Sequence, residues 1–433
     1  MALECGYHGR MKVRSLVLAL IPLLVLAVPS GCGDDGGGGG DGADTGDGDG
    51  DGDGDGDGDG DGFSLPELGD PVQVSQVPTG QSATNPQIVW TGDGYAISWT
   101  RYGGELEEFT AEAHLTRLGP DGAYQWDVAI DDVLAASRAP LVWADGEYGL
   151  AFKAEVGGES DVAFARVGGD GTRIGSALVL SDVIDVGSGP DNVSLAWSGD
   201  TYGLGWVGSP QTTKRTQLVR IDGSGSVVGT PLIVSDPNDE DGTSHSSLVW
   251  MDDAWGMAWT STANVSKAYF ARIAEDASAV EGDIAIINPA GDGGVTSLVY
   301  DGQNVGVVWF DYADEGIPNS AVYFALLDST GAPVGQPQRV SATAADLLPE
   351  IGHDGSEFGF VWYNDDQANL LPPLKFGAAS SAGTVLGEGV LREVTSGAPT
   401  PVITGGGGKW AVAWSEWVEG TDSQVYLAIE TAG

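Results

Sequence analysis

Seven times the chain repeats one pattern: an apolar residue, a second large apolar residue seven positions on, and a third four positions after that. The first copy is Ile88, Tyr95 and Trp99. The third positions run Trp99, Phe152, Trp206, Trp259, Trp309, Trp362 and Trp414, at spacings of 53, 54, 53, 50, 53 and 52 residues. A period of about 50 residues marks a stacked or circular array of identical supersecondary units, none of which buries its apolar face alone.

Each unit reads as four strands. The first carries the apolar column Ile88, Leu141, Leu195, Leu248, Leu298, Ile351 and Ile403. A tight Asp/Gly turn such as Thr91-Gly92-Asp93-Gly94 leads into a second strand that ends on the Trp column. Third strands are visible at 162–166, 217–220 and 322–326, and a fourth at 231–235. Alternating apolar runs punctuated by Gly/Asp turns are the hairpin signature. Four antiparallel strands per repeat of this length predict an all-β chain, a seven-bladed β-propeller.

The two ends predict how the ring closes. The last repeat stops after its third strand, at 425–430, whereas a spare strand at 70–76 precedes the first repeat. The N-terminal strand is expected to complete the last blade, which removes the unpaired edges of an open array. The propeller is therefore assigned to 69–433.

The segment before it has a different composition. Lys12 and Arg14 precede an apolar run from Leu16 to Val28, followed by Pro29-Ser30-Gly31-Cys32. A basic head, a short apolar middle and small residues describe a secretory signal, here 1–31, with Met11 the expected start. The run is shorter than the about 20 residues that cross a bilayer. The Ser-Gly-Cys ending resembles a bacterial lipobox, with Pro29 where such boxes carry Leu or Val. That resemblance implies cleavage before Cys32, a lipid on its sulfur, export, and anchoring to a bacterial membrane, the outer membrane being the expected one. Residues 32–68 then form a tether, strictly Gly-Asp alternating from Gly46 to Gly62. Such a stretch has nothing to bury, and a Gly-rich coil of this length averages about 30–35 Å end to end. Asp47-Gly-Asp49-Gly-Asp51-Gly52 copies the start of an EF-hand loop, but the twelfth position, which needs a bidentate Glu, falls on Gly58. The tether is at most a weak calcium sink.

Cys5 and Cys32 are the only cysteines, so the repeats fold without a disulfide or a Cys-based zinc site. The formal net charge is -45. This polarity argues against nucleic acid as a partner and against direct adsorption to anionic lipid heads, since both need a basic surface. It favours a soluble, monomeric domain that attracts cations.

No catalytic constellation is legible. There is no Gly-x-Ser-x-Gly elbow, no His-Glu-x-x-His and no phosphate loop, because Lys409 precedes Trp410 after the Gly405–Gly408 run. His245 lies between Ser244 and Ser246, an adjacency that is not a catalytic arrangement. A Trp column filled in every repeat reads as packing between blades rather than as a sugar platform. The loops after the second strands are more informative. They carry Asp311, Tyr312, Asp314 and Glu315 in blade five, Tyr363, Asp365 and Asp366 in blade six, and Glu416, Trp417, Glu419 and Asp422 in blade seven. Blades three and four carry Lys214, Arg215 and Lys267 instead. One face is thus expected to be polarised, with acids and aromatics over about half the ring, a chemistry suited to cationic protein patches, calcium-bridged contacts or glycans.

The repeat lacks the Gly-Gly doublet of kelch units, the Gly-His and Trp-Asp pairs of WD40 units and the Asp boxes of sialidases. Leu195-Ala-Trp-Ser-Gly-Asp-Thr-Tyr-Gly-Leu-Gly-Trp206, with Arg220-Ile-Asp-Gly-Ser-Gly225, resembles the Trp-rich propeller repeats of uncharacterised lipoproteins in myxobacteria-like Gram-negative bacteria. The resemblance covers nearly all of 70–433 and implies architecture without a catalytic motif. The expected function is a lipid-anchored, non-catalytic envelope propeller presenting its acidic, aromatic-containing face to a protein or glycan, with no cofactor. Two other readings stay open: a glycan-active enzyme using loop carboxylates, and a passive scaffold.

Overall fold

A computed structural model describes residues 63–103, 110–135, 137–235, 242–262, 265–289, 291–312, 320–343, 346–364, 372–394, 399–417 and 422–431. The segment read as a secretory signal, Cys32 and the Gly-Asp alternation lie outside them. The described chain is a seven-bladed β-propeller of antiparallel sheets, one sheet per sequence repeat. Among the described residues a single 3₁₀ turn, Leu180–Asp182, interrupts the strands, and no helix is long and apolar enough to cross a membrane.

The innermost strands are Ser82–Trp90, Leu141–Ala144, Ser188–Trp197, Thr243–Trp250, Gly293–Tyr300, Asp346–His353 and Val402–Gly406. Second strands are Tyr95–Gly103, Glu147–Val156, Thr201–Ser209, Ala254–Ser261, Asn304–Asp311, Glu357–Asn364 and Lys409–Trp417. Third strands are Thr110–Leu118, Glu159–Gly168, Arg215–Asp222, Ala268–Ala274, Ala321–Asp328, Leu374–Ser380 and Ser423–Ile429. The outer strands are Tyr124–Ile130, Leu178–Val179, Val227–Ile233, Val280–Ile286, Pro333–Arg339 and Val385–Arg392, and in the seventh blade Val72–Gln73 from the N-terminal side. Val72 pairs with Leu427 and Gln73 with Tyr426. Val74 N–H then donates to Val425 O at 2.8 Å. The ring is closed as the spare strand predicts, and the first blade's Tyr95, Ile97 and Trp99 share one core with Val402, Ala413 and Leu427 of the seventh.

The repeated residues account for how blades stack. Every member of the Trp column is buried, as are Tyr95, Tyr148, Tyr202, Trp255, Val305, Phe358 and Trp410 at the start of the second strands. In four junctions that second group lies over a glycine of the preceding blade. A Cβ on Gly149 would stand 2.5 Å from Tyr202, on Gly203 2.6 Å from Trp255, on Gly306 2.7 Å from Phe358 and on Gly359 2.6 Å from Trp410. Absent side chains therefore let aromatic rings reach the neighbouring sheet, and the apolar area so buried is the main favourable contribution to ring stability.

Candidate binding face and central channel

The start of each innermost strand lies opposite the end of the second strand of its blade, as in Ser82 with Tyr102, Thr243 with Ser261 and Asp346 with Asn364. The loops that follow the second strands therefore share one face with the mouth of the channel lined by the innermost strands. Two kinds of group meet there: the acidic residues singled out by sequence, and a polar ring inside the channel.

Of the acidic residues, Asp314, Glu315, Asp365, Asp366 and Glu419 lie outside the described residues. The others divide. Asp311 is only 4% exposed. It accepts from Trp309 Nε1 at 3.2 Å, Asn288 Nδ2 at 3.2 Å and the Asp292 N–H at 2.8 Å. Glu416 is likewise buried and accepts from Trp414 Nε1 at 2.9 Å. Successive residues of a strand face opposite ways, so an acid two positions after a Trp sits on the same side as the indole. Both carboxylates thus satisfy the polar edge of a core Trp. Tyr363 is buried, and Tyr312 is half-buried against Phe310 at 5.4 Å, its hydroxyl pKa raised by burial and by nearby Asp292. Asp422 is partly exposed, and Trp417 is the open member at 44%.

The cations of blades three and four divide the same way. Arg215 is buried, and Lys267 Nζ donates to the carbonyls of Pro289, at 3.1 Å, and Gly291. Lys214 is exposed. In blade six a fully buried Asp346 accepts from Asn364 Nδ2 at 2.8 Å, with Lys375 Nζ at 3.8 Å. Burial pushes its carboxyl pKa up despite these partners. Among the described residues no three His, Cys, Asp or Glu side chains converge as a metal site requires.

The channel supplies what the loop reading missed. In blades one, three, four and six the innermost strand carries one extra residue in the left-handed region: Asn85 (φ 55°), Asn192 (φ 49°), His245 (φ 48°) and Leu348 (φ 50°). The register with the second strand shifts at each of these points, as it also does between Gly294 and Thr296 in blade five. Asn tolerates this conformation, whereas for Leu348 it costs about 1–2 kcal/mol. Pro86 and Pro349 follow two of the bulged residues, where the ladder needs no N–H.

Blade two departs further. Its innermost strand is broken between Leu134–Ala135 and Leu141–Ala144, both of which pair with the same second strand. Blade one braces the break: Ser98 Oγ donates to Ala139 O, and Thr100 Oγ1 to Ser137 O at 2.9 Å. Arg138 projects from this break, and its Nη2 lies 2.6 Å from Glu350 Oε1 of blade six. Ser297 Oγ of blade five donates to the other Glu350 oxygen at 2.8 Å. The polar ring is completed by Gln87, Ser194, Ser246 and Ser247, above the Leu/Ile column, around a cavity of about 190 Å³.

No family model matches the chain, and no curated protein matches it. The likenesses are to solved structures. One is a prolyl endopeptidase (TM-score 0.46, 12% identity, covering 83% of this chain and 47% of that one), so the chain spans about half of that enzyme's length. Another is the β-propeller domain of the Trilobed protease from Pyrococcus furiosus (TM-score 0.43, 9% identity, 84% of this chain and 95% of that one). A third is a subtype N10 neuraminidase-like protein of a little yellow-shouldered bat isolate (TM-score 0.44, 10% identity, 69% and 96%).

His245 is half-buried, and its imidazole pKa is pushed down to about 4, first by burial and then by Arg138, with Lys214 adding to the effect and Asp191 opposing it. Lys153 stands 3.8 Å from Asp191. The mouth beside blades two to four is thus lined with hydroxyls and holds two ion pairs, Arg138 with Glu350 and Lys153 with Asp191.

Proposed function

We propose that this protein is a non-catalytic propeller of the cell envelope, held by a lipid on Cys32, that presents the face bearing the loops after the second strands to a protein or glycan partner. One observation carries the reading. Three of the described carboxylates on that face, Asp311, Glu416 and Asp346, are committed to indole and amide donors rather than facing one another across a cleft, while Trp417 is 44% exposed. Paired carboxyls set for glycoside hydrolysis would stand about 5–10 Å apart around an open site. An exposed Trp beside acidic loops is instead the composition of a recognition surface.

The test is cross-linked capture from native envelopes with the full chain. It is compared with a variant carrying Asp314→Asn, Asp365→Asn, Asp366→Asn, Glu419→Gln and Trp417→Ala. Asp311 and Glu416 stay intact because they hold core indoles. A partner captured by the wild type and lost by the variant supports the face. Identical capture by both, or none, overturns it. Retention of the chain in the membrane fraction, lost on Cys32→Ala, checks the anchor.

A further inference from the structure

The guanidinium of Arg138 is placed with unusual care. The innermost strand of one blade is broken to project it, and two hydroxyls of the neighbouring blade hold the break open. Its occupant is an internal carboxylate, Glu350, that arrives from the far side of the ring. A surface ion pair of this kind adds little stability, since Arg138 is 43% and Glu350 17% exposed. Stability alone therefore does not explain a broken strand and, around the same mouth, left-handed conformations at His245 and Leu348. Strain of that sort gathers at ligand clamps.

We propose that the channel mouth is a binding site for a small hydroxylated carboxylate of the sugar-acid class, in which the ligand's carboxylate displaces Glu350 from Arg138. A guanidinium fork matches a carboxylate two bonds at a time. Of the hydroxyls at the cavity wall, Ser246 donates to Asn192 O at 2.6 Å and Ser297 donates to Glu350, a bond released when Glu350 leaves; the Ser194 and Ser247 hydroxyls and the remaining oxygen lone pairs complement ring hydroxyls. Beneath them Leu195, Leu248 and Leu298 are buried in the blade cores, so the wall the cavity presents is polar, as a densely hydroxylated ligand requires. A volume of about 190 Å³ is below that of drug-sized pockets, about 300–1,000 Å³, and suits a single ring. Glu350 acts as a tethered competitor: while it holds Arg138 the site is closed, so apparent affinity falls by the fraction of time the bridge is open. The proposal does not depend on the outer-loop face, and either can fail without the other.

Calorimetric titration of the full chain with sodium D-glucuronate at pH 7 tests it, with D-glucose and succinate as controls and a galacturonate hexamer as a second arm. Glu350→Gln is expected to tighten glucuronate binding about tenfold, as removal of a competitor present roughly nine-tenths of the time would. Ser297→Ala, which frees Glu350 without deleting it, is expected to tighten it about twofold to threefold and serves if Glu350→Gln misfolds. Arg138→Gln is expected to abolish binding while leaving the circular dichroism and melting temperature within a few degrees of wild type. Binding of the hexamer as well as the monosaccharide assigns the terminal residue of an acidic polysaccharide as the source; binding of the monosaccharide alone assigns a free sugar acid. Binding that survives Arg138→Gln, no gain in either Glu350→Gln or Ser297→Ala, or succinate and glucose binding as well as glucuronate overturns the proposal.

Discussion

Val72 lies opposite Leu427 although the two stand at opposite ends of the described chain, so the last blade is completed by the first strand. The closure depends on a few specific bonds. Ser75 Oγ accepts from the Val425 N–H at 2.8 Å and donates to Gln424 Oε1 at 2.8 Å, and all three residues are buried. Ser75→Ala leaves a buried N–H without its partner, a loss of about 1–3 kcal/mol. Deleting everything before Val77 removes the strand altogether and exposes the Ser423–Ile429 edge. We expect a lower urea midpoint for Ser75→Ala, and concentration-dependent self-association for the truncation in analytical ultracentrifugation. A truncated chain that stays monomeric and as stable as wild type would show that the ring does not need this strand.

The stacked glycines give a second test. Gly203→Ala places a methyl 2.6 Å from the Trp255 ring, which cannot retreat without repacking. Overpacking of this kind costs about 1–3 kcal/mol. Gly282→Ala, at φ +73° with open space around it, costs about 1 kcal/mol through backbone strain alone. Combining Gly203→Ala with Trp255→Leu should be markedly less damaging than the sum of the two single changes, because the smaller side chain makes the room. Additive losses in a double-mutant cycle by chemical denaturation would contradict the contact.

Such contacts mark where the sequence was legible. The columns at 88, 95 and 99 and their copies declare seven blades because each blade must bury the same face against the next. The fourth strand of the last blade could be found because its absence at one end matched a surplus at the other. The inward turn of Asp311 and Glu416 was available from strand alternation, since each lies two residues after a Trp, but an acid in a loop-adjacent stretch reads first as surface. The channel was harder to see. The residue before each Leu/Ile of the first column reads Gln87, Pro140, Ser194, Ser247, Ser297, Glu350 and Val402. That polar column is a real signal of a solvated inner wall. Nothing local shows that Arg138 reaches Glu350, 212 positions away, because the reach depends on a break in one strand and the curvature of the whole ring.

The buried carboxylates carry a third prediction. Removing Glu416 leaves the Trp414 indole N–H without the acceptor that now lies 2.9 Å away. Glu416→Ala should therefore lower stability by about 1–3 kcal/mol, whereas Glu416→Gln, whose amide oxygen can still accept, should lose less. Asp311→Ala strips acceptors from Trp309, Asn288 and the Asp292 N–H together and should cost at least about 2 kcal/mol. Urea titrations followed by Trp fluorescence read both. If Glu416→Ala is as stable as wild type, the carboxylate is surface charge after all.

Acid sensitivity should appear in two separate pH windows. On the turns between third and fourth strands, Asp222, Asp276 and Asp328 are held below the usual carboxylate range by the hydroxyl groups of Ser224, Ser278 and Thr330, and Asp170 by the Thr172 N–H. A depressed carboxyl stabilises the fold above its ordinary pKa, and the contribution is lost as pH falls through the depressed value. These turns should therefore weaken only below about pH 4. His245 works higher. Its folded pKa of about 4 lies under the ordinary histidine value of 6.5, so the unfolded chain takes up the proton first, and stability falls as pH drops from 6.5 towards 4 and is flat beyond. The full shift corresponds to at most about 3 kcal/mol. Burial raises Asp346, which acts in the opposite sense over an overlapping range, so the imidazole contribution is read by difference. His245→Asn keeps a residue that tolerates the left-handed backbone and removes the titration. Urea midpoints measured from pH 7 to 3 should fall less steeply between 6.5 and 4 in that variant than in wild type, and should run parallel to wild type below pH 4. Curves that stay parallel across the whole range would place the His245 imidazole in open solvent, away from Arg138.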